Sequence, residues 1–366
     1  LKASRQKRDA FYFFGILWPM SKQANIALYR KYRPETWESV LGQEHIVSVL
    51  KESAKQKKIS HAYLFAGSRG IGKTSVARIL AREAGVTPND IYEMDAASNR
   101  GIDDVRALRE AVNVLPLESP YKVYIVDEAH MLTKEAFNAL LKTLEEPPKH
   151  VIFILATTEI EKLPDTIVSR CQVFTFKKPT NIILKKTILD AAKKEGLKID
   201  ESSADLIALL GDGSFRDAYG VLQKVAGLSG DKNLSREEVE KILGVPAGDL
   251  ISDFISAISE KNAAKGLAAI AKAVEQNIDM KIYAKLVLRG LRAALLLRFA
   301  PETEKSLSAG FSEKELSFLK GIAGDKKSSV NSAVLSEFLD ASQNVSRSYI
   351  PELPLEISLI KICGDK

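Results

Sequence analysis

The sequence predicts an α/β domain built on a parallel sheet, followed by a small helical domain and an all-helical C-terminal domain. Two observations carry this prediction. Short apolar runs alternate with helical segments between residues 61 and 176, and helical patterns alone continue after Pro179. A chain of 366 residues is long enough for two or three such units. We place the α/β domain at 21–179, the small helical domain at 180–243 and the last domain at 244–366.

Five apolar runs are the predicted strands, at residues 62–66, 91–95, 122–127, 151–157 and 173–176. They read as continuous Val, Ile, Leu and Phe rather than as an apolar–polar alternation, which is typical of strands buried on both faces of a parallel sheet. Helices predicted at 75–84, 103–114 and 134–144 connect them. Strands and helices in this alternation indicate a nucleotide-binding α/β layer.

The helical half of the chain begins at Thr180, which can cap a helix that ends at Gly196. Further helices are predicted at 202–210 and 215–227, and Ser235 with Glu238 forms a capping-box pattern that opens another. We interpret residues 244–248 as a linker. Beyond it, apolar residues recur at helical spacing, as in 282–299.

Composition and charge exclude several classes of protein. The formal charge is +6, but four basic residues against Asp9 place +3 of it in the first twenty residues. The remainder is mildly basic, which is compatible with nucleic-acid contact without requiring it. Cys171 and Cys363 are far apart and fit neither a disulfide framework nor a metal-ligand spacing. No apolar run approaches the roughly 18 residues of a membrane span, so we expect a cytoplasmic protein with no membrane partner.

Residues 1–20 combine a basic stretch with the apolar run from Phe11 to Met20, a superficial likeness to a signal peptide. No small-residue cleavage pattern follows, and an ordinary polar start follows Met20. We therefore interpret these residues as a non-native upstream extension with Met20 as the initiator. A membrane anchor is the weaker alternative.

A phosphate-binding pattern is the strongest motif in the chain. Residues 67–74 match G-x-x-x-x-G-K-[ST], after a predicted strand and before a predicted helix. Glycines let the backbone N–H groups turn toward phosphate oxygens, and the helix presents its positive end to them. Lys73 would reach the β- and γ-phosphates of ATP and Thr74 would ligate Mg²⁺. A chance glycine-rich turn is the alternative, which the strand and helix around it disfavour.

Two acids follow the third predicted strand. Asp127 stands at the carboxyl end of four apolar residues, beside the phosphate loop, where it can hold the Mg²⁺ shell. Glu128 can then orient and activate the attacking water. The alternative is a pair of surface acids at a helix start. His130 follows closely, and we assign it no chemistry.

Three further residues are candidates with open alternatives. Thr158, at the end of the next strand, is a candidate γ-phosphate sensor or a simple cap. Arg170 could serve a neighbouring subunit's ATP as an arginine finger, although spacing alone favours a surface salt bridge. Arg216 could reach back to the phosphates from the second domain. Asn99 and Arg100 could hold a DNA phosphate or simply accompany helix capping.

Taken together, these strings resemble the gamma/tau subunits of the bacterial DNA polymerase III clamp loader, of the AAA+ class. The likeness runs from about Ala27 to the C-terminus and is dense as far as Asp217. The residues that carry it are Tyr29-Arg-Lys-Tyr-Arg-Pro34, Gly42-Gln-Glu-His45, the phosphate loop with Arg69 inside it, Asp95-Ala-Ala-Ser-Asn99, Asn138-Ala-Leu-Leu-Lys-Thr-Leu-Glu-Glu-Pro-Pro148, Leu155-Ala-Thr-Thr158 and Ser169-Arg-Cys171.

The resemblance implies an AAA+ ATPase domain, a helical lid and a helical collar that assembles a five-membered ring. Its implied partners are further gamma copies, delta, delta-prime, the sliding clamp and primed DNA. It also implies that Arg170 is the trans-acting finger, that Thr158 and Arg216 are sensors, and that Arg33, Pro34 and Val40 lie near adenine. The nucleotide contacts we predict are Gly67, Ser68, Arg69, Gly70, Ile71, Gly72, Lys73, Thr74, Ser75 and Asp127, with ATP and Mg²⁺ as the ligands.

Two departures from the family pattern limit the inference. Family members usually carry four zinc-binding cysteines between the phosphate loop and the acid pair, whereas residues 75–122 contain none, so we expect no zinc. The chain ends soon after the predicted collar, so we expect a short gamma-like form without polymerase tethering. It would act as an ATPase within the polymerase holoenzyme, with no polymerase site of its own. The alternatives are a branch-migration or helicase-type motor, and a non-hydrolysing scaffold subunit.

Overall fold

The computed structural model of the chain describes residues 26–364, except for 100, 230–231, 247, 305–306 and 308–309. The interpretation of residues 1–20 and the suggested role of Arg100 lie outside the described residues. Four hydrophobic clusters organise the fold, one on each face of a central sheet and one in each of two helical regions. This arrangement is the predicted fold class, and the exact domain boundaries stay a prediction.

The central sheet has five parallel strands in the order β2–β3–β4–β1–β5. Their bounds are β1 Ala62–Ala66, β2 Ile91–Asp95, β3 Lys122–Asp127, β4 Val151–Thr157 and β5 Gln172–Thr175. Every residue of β1 and β4 is buried, as predicted for strands covered on both faces. The prediction was wrong for β2 and β5, in which no residue is buried because each strand lies at a sheet edge and has one strand neighbour.

Helices cover both faces of this sheet. They are α2 Glu44–Lys55, α3 Lys73–Glu83, α4 Ile102–Val112, α5 Lys134–Glu145 and α6 Asp165–Val168, and they are preceded in the chain by the short helix α1 Leu28–Lys31. Successive side chains of β1 point to opposite faces. Tyr63 and Phe65 pack in the cluster with α2 and α3, whereas Ala62 and Leu64 pack in the cluster with α4 and α5. The result is a three-layer sandwich in which the three interior strands, β3, β4 and β1, are buried apart from Asp127 at the end of β3.

The second region contains helices α7 Asn181–Lys194, α8 Glu201–Leu210, α9 Phe215–Leu228 and α10 Arg236–Leu243. It also contains two short parallel strands, β6 Lys198–Ile199 and β7 Asn233–Leu234. The expectation that strands end after Pro179 was therefore wrong, because a two-residue pairing leaves no pattern in the sequence. Helix α1 packs here too: Leu28 is in this cluster and its N–H donates to Gln223 at 2.9 Å.

Predicted helix ends are confirmed in this region. The Thr180 side chain accepts the Ile183 N–H at 3.4 Å, and Ser235 accepts the Glu238 N–H at 3.3 Å. Gly196, just past the end of α7, has a φ of +71°, a value that favours glycine. Each hydroxyl satisfies a backbone donor that the helix itself leaves unpaired, a contribution of about 1 kcal/mol.

The C-terminal region is helical throughout its described part. Its helices are α11 Gly248–Ser259, α12 Ala263–Glu275, α13 Met280–Phe299, α14 Glu313–Gly324, α15 Ser332–Asn344 and α16 Leu353–Gly364. Phe254 stacks edge-on against Tyr283 and Phe338 at the centre of the cluster. The Arg298 guanidinium donates to the carbonyls of Ile322, Ala323 and Val330 at 2.7–3.0 Å, which ties α13 to the end of α14.

A buried carboxylate holds the segment between α4 and β3. Asp90 is fully buried and accepts the N–H groups of Leu117, Glu118 and Ser119 at 2.6–3.0 Å. Burial alone would raise the pKa of Asp90, but these donors lower it below its usual value. The ionised carboxylate thus stabilises this segment.

No single helix in the described ranges is long and apolar enough to cross a membrane. Helices α10 and α11 reach that length and hydropathy only together, across a bend of 83°.

Candidate nucleotide-binding and hydrolysis site

A pocket of about 950 Å³, counting the part open to solvent, lies where the loop after β1 meets the second region. It is lined by Tyr29, Tyr32, Arg33, Pro34, Ser39, Val40, Leu41, residues 69–76, Asp127, Glu128, Thr187, Phe215, Arg216 and Tyr219. Most predicted site residues therefore share one cavity. Gly67, Ser68 and Thr158 lie next to it, and Arg170 lies elsewhere.

The loop between β1 and α3 has the backbone geometry of an anion cradle. Gly67, Gly70 and Gly72 have φ values of +142°, +73° and +106°, which residues with a side chain rarely adopt. Helix α3 begins directly afterwards at Lys73. Its first N–H groups have no partner within the helix and point, with the positive end of the helix dipole, toward the loop.

Lys73 is folded onto its own loop. Its Nζ donates to the carbonyls of Gly67 and Ser68 at 2.6 and 2.9 Å, and the residue is only 5% exposed. Burial lowers the pKa of the Lys73 amine, against the opposing effect of the Glu128 and Asp127 carboxylates. A phosphate would give this desolvated amine an anionic partner in place of two carbonyls.

The candidate metal ligands touch each other. Thr74 Oγ1 donates to Asp127 Oδ2 at 2.9 Å, which brings the start of α3 against the end of β3. A hydroxyl and a carboxylate are the hard oxygen donors that Mg²⁺ prefers, and Mg²⁺ usually takes its other ligands from phosphates and water. The residues present therefore fit a nucleotide-bound magnesium ion.

Glu128 is held in a constrained position. Its φ of +48° is unusual for a residue with a side chain, and its N–H donates to Asp127 Oδ1 at 3.0 Å. The Thr158 hydroxyl donates to Glu128 Oε2 at 3.1 Å. The predicted base and the predicted sensor thus contact each other directly, and such strained backbone is common at functional sites.

The second region reaches the phosphate loop through its backbone. The Phe215 N–H donates to the Gly70 carbonyl at 3.0 Å. A Cβ on Gly70 would stand 2.1 Å from Ser214 Oγ, so no side chain fits at this contact. Because Arg216 follows immediately and lines the pocket, any movement of α9 changes the walls of the site.

His130 is a site residue that sequence reasoning missed. Its Nδ1 is 3.0 Å from Thr157 Oγ1 and 3.6 Å from Glu128 Oε2, and its Nε2 is 3.3 Å from Glu159 Oε1. Its nearness to the acid pair in sequence was the available signal. A residue two positions after Glu128 can point either way from a turn, so only the fold brings the ring beside that carboxylate.

Profile comparisons match both halves of the chain. A profile described as DNA polymerase III, delta subunit matches residues 42–94 and 85–180. Another, described as domain III of DNA polymerase III subunits gamma and tau, matches 234–366. DNA polymerase III subunit gamma of Buchnera aphidicola is 38% identical over 64% of this chain and 69% of its own length. This chain belongs to the DNA polymerase III gamma/tau family.

Further relatives of this gamma/tau-family chain are longer than it is. Subunit tau of Bacillus subtilis is 37% identical over 92% of this chain and 63% of its own length. Subunit gamma/tau of Mycobacterium tuberculosis is 38% identical over 76% of this chain and 52% of its own length. The chain thus spans between about half and two thirds of these two curated relatives.

The chain shares its fold with a solved branch migration motor. The Thermotoga maritima RuvB Holliday junction branch migration motor superposes with a TM-score of 0.50 at 22% identity, over 63% of this chain and 80% of that one. At this identity the likeness shows the fold alone.

Three tyrosines of this gamma/tau-family chain, Tyr29, Tyr32 and Tyr219, form one wall of the pocket. Sequence reasoning did not identify them as site residues. The Tyr32 and Tyr219 rings stack with their centroids 5.7 Å apart. The guanidinium carbon of Arg216 lies 5.7 Å from the centroid of the Tyr29 ring. Burial raises the pKa of Tyr219 to about 12, so it stays neutral. The i, i+3 spacing of Tyr29 and Tyr32 was a weak signal, because helices packed on a core show it too.

Arg170 of the gamma/tau-family chain points away from this pocket. Its Nη2 forms an ion pair with Glu145 at 2.6 Å and its Nη1 donates to the Thr166 carbonyl at 2.7 Å. The surface salt bridge that spacing favoured is therefore present. Burial raises the pKa of the adjacent Cys171 thiol to about 11, which leaves it unreactive at neutral pH.

Across the described residues, no group of three or more His, Cys, Asp or Glu side chains could hold a metal ion. A magnesium ion at Thr74 and Asp127 would accordingly depend on the nucleotide for ligands. The expected absence of zinc stays a prediction.

Proposed function

We propose that this chain is the ATP-hydrolysing motor subunit of a clamp loader, which uses ATP to place a sliding clamp on primed DNA. The observation that carries the proposal is a single cavity in which the buried Lys73, the Thr74–Asp127 pair and Glu128 meet Arg216 from the second region. Thr158 donates to Glu128 from beside this cavity. A nucleotide-controlled subunit needs such a site, because the bound phosphates must contact the sheet domain and the second region at the same time.

The residues divide the work on ATP among them. The loop N–H groups and Lys73 would hold the phosphates, and Arg33, Pro34 and Val40, with the tyrosine wall, would enclose the base. Thr74 and Asp127 would hold Mg²⁺, which when bound neutralises phosphate charge. Arg216 would follow the phosphates from the lid.

Hydrolysis needs a base and a cation near the γ-phosphate. Glu128 would take a proton from the attacking water, and Thr158 would set the direction of its carboxylate. The chain's own Arg170 is engaged with Glu145 and is absent from the pocket lining. We infer that the Arg170 of a neighbouring subunit stabilises the transition-state charge, which makes hydrolysis depend on the ring.

The proposed partners follow from the family. They are further gamma copies, delta and delta-prime in a five-membered ring, together with the sliding clamp and primed DNA. We expect the chain to work in the cytoplasm within the DNA polymerase III holoenzyme, a nucleotidyltransferase, and to contribute ATPase activity only.

The test is steady-state ATP hydrolysis by the chain, alone and reconstituted with its partners, with and without clamp and primed DNA. We expect clamp and primed DNA together to stimulate turnover. Glu128→Gln should retain ATP and lose about 10³-fold in turnover, as for loss of a general base. Stimulation by a four-way junction instead would support the branch-migration motor. No turnover in any mixture would support the non-hydrolysing scaffold.

A further inference from the structure

His130 connects the loop after β3 with the loop after β4. It lies in the 3₁₀ turn Ala129–Met131, with 7% of its side chain exposed. Its Nδ1 faces Thr157 and Glu128, and its Nε2 faces Glu159. Lys162 forms an ion pair with Glu159 at 2.7 Å from the other side. The ring is thus anchored at both ends, with one edge against the predicted base.

The hydrogen-bond network assigns the tautomer of this ring. Thr157 is fully buried and its Oγ1 already accepts the Glu159 N–H at 3.0 Å, so its hydroxyl hydrogen needs an acceptor. Nδ1 of His130, 3.0 Å away, is the acceptor that these contacts offer, which leaves the ring proton on Nε2 to donate to Glu159. The edge that faces Glu128 therefore carries a lone pair and no hydrogen.

A lone pair beside a carboxylate oxygen repels it weakly. At 3.6 Å from Oε2, the Nδ1 edge disfavours a closer approach of the Glu128 carboxylate to the ring, while the Thr158 hydroxyl holds the same oxygen by a hydrogen bond. The two contacts together restrict the carboxylate to one orientation, with Oε1 left for water. Glu128 is 26% exposed, so without these contacts its side chain has room to turn.

We propose that His130 is a positioning residue for Glu128, which keeps the carboxylate turned toward the attacking water. The inference rests on the function proposed above, since it gives Glu128 a water to activate. A positioning residue acts on the chemical step and leaves nucleotide affinity unchanged, because the phosphate contacts are made by other residues.

The test is single-turnover hydrolysis of pre-bound ATP by the full chain reconstituted with its partners, with ATP affinity measured separately. His130→Leu should slow hydrolysis about tenfold with affinity within about twofold of wild type, the scale of a misplaced catalytic group. His130→Asn keeps an acceptor at the Nδ1 position and should recover to within about threefold of wild type.

A double-mutant cycle separates positioning from packing. In a Glu128→Gln background, His130→Leu should slow the residual hydrolysis by less than about twofold, because the group it positions is already lost. His150→Leu is the matched control: its Nε2 bonds the Val112 carbonyl at 3.1 Å at the opposite end of β4, and its turnover should be that of wild type.

Three outcomes would overturn the proposal: equal losses in His130→Leu and His130→Asn, fully additive losses in the cycle, or a fall in ATP affinity that matches the fall in turnover. Failure of the proposed function looks different. In that case wild-type protein would hydrolyse ATP no faster than Lys73→Ala, and no His130 variant would change anything.

Discussion

Two parts of the molecule use charge in opposite ways. One is the pocket around Lys73, and the other, the edge, is the segment around Arg170 just after α6. In the pocket, one chain brings Thr74 to Asp127 and Thr158 to Glu128, so the groups for binding and for the base are assembled without a partner. At the edge, the Arg170 side chain is one-third exposed and forms an ion pair with Glu145. Arg170 is not among the residues that line the pocket. Under the function proposed above, this difference predicts a site that is complete for binding ATP and incomplete for hydrolysing it.

The largest effect should come from the pocket. Lys73→Ala removes the amine that the loop carbonyls hold in place, and ATP affinity should fall at least 100-fold in the isolated chain. Isothermal titration with a non-hydrolysable ATP analogue measures it. Lys134→Ala, an exposed lysine at the start of α5, is the control and should bind normally. Normal ATP binding by Lys73→Ala would contradict the claim that this pocket is the ATP site.

Arg170→Ala tests the edge. We expect ATP affinity to be unchanged and turnover in the assembled ring to fall about 100-fold, the scale for losing one preorganised charge contact in a transition state. The isolated chain should show no change in its low turnover. Mixing Arg170→Ala with a Glu128→Gln copy should restore part of the activity, because each supplies what the other lacks. An equal loss in the isolated chain would contradict action in trans.

Gly70→Ala sharpens the claim that the pocket depends on the second region. The φ of +73° strains any residue with a side chain, and a methyl group would stand 2.1 Å from Ser214 Oγ, so the Ser214 side chain or the start of α9 must shift. We expect ATP affinity to fall about tenfold, since this backbone strain is worth about 1–2 kcal/mol. Gly227→Ala, a helical glycine with open space around it, should bind like wild type in the same titration.

Asp90 lies outside both the Lys73 pocket and the segment around Arg170, and its carboxylate serves folding alone. Its substitution should therefore have the smallest effect on function. Asp90→Asn should lower the free energy of unfolding by about 2–3 kcal/mol at pH 7, by loss of charge-assisted hydrogen bonds, and leave ATP affinity unchanged.

The pH dependence of that difference has a definite sign. Because the folded pKa of Asp90 is lowered, its stabilisation is present above the unfolded pKa of about 4 and is lost as the pH falls through the folded value. Urea unfolding at pH 7 and at a series of pH values below about 4 measures it, with the exposed Asp103→Asn as control. A gap between wild type and Asp90→Asn that widens toward acid would contradict the assignment.

Local pattern was enough for much of this molecule. The bounds of β1, β3 and β4 follow from apolar runs, because a strand buried on both faces must be largely apolar. The phosphate loop follows from glycine positions, because only glycine readily takes the positive φ values found at 67, 70 and 72. Thr180 and Ser235 are caps because hydroxyls satisfy helix N–H groups within a few residues. Each of these requirements acts over a short stretch of chain.

Only the tertiary structure decided the rest. The strand order places β2 and β5 at the two edges of the sheet, where they are exposed. The residues of either strand do not reveal which strands lie beside it. The ring of His130 meets Glu159, and Phe215 meets Gly70, across separations of 29 and 145 residues. Tyr29 and Tyr219 likewise share a wall although they lie far apart in sequence. Such meetings arise from how layers pack, and packing depends on every side chain of the interface at once, which spacing along one segment does not encode.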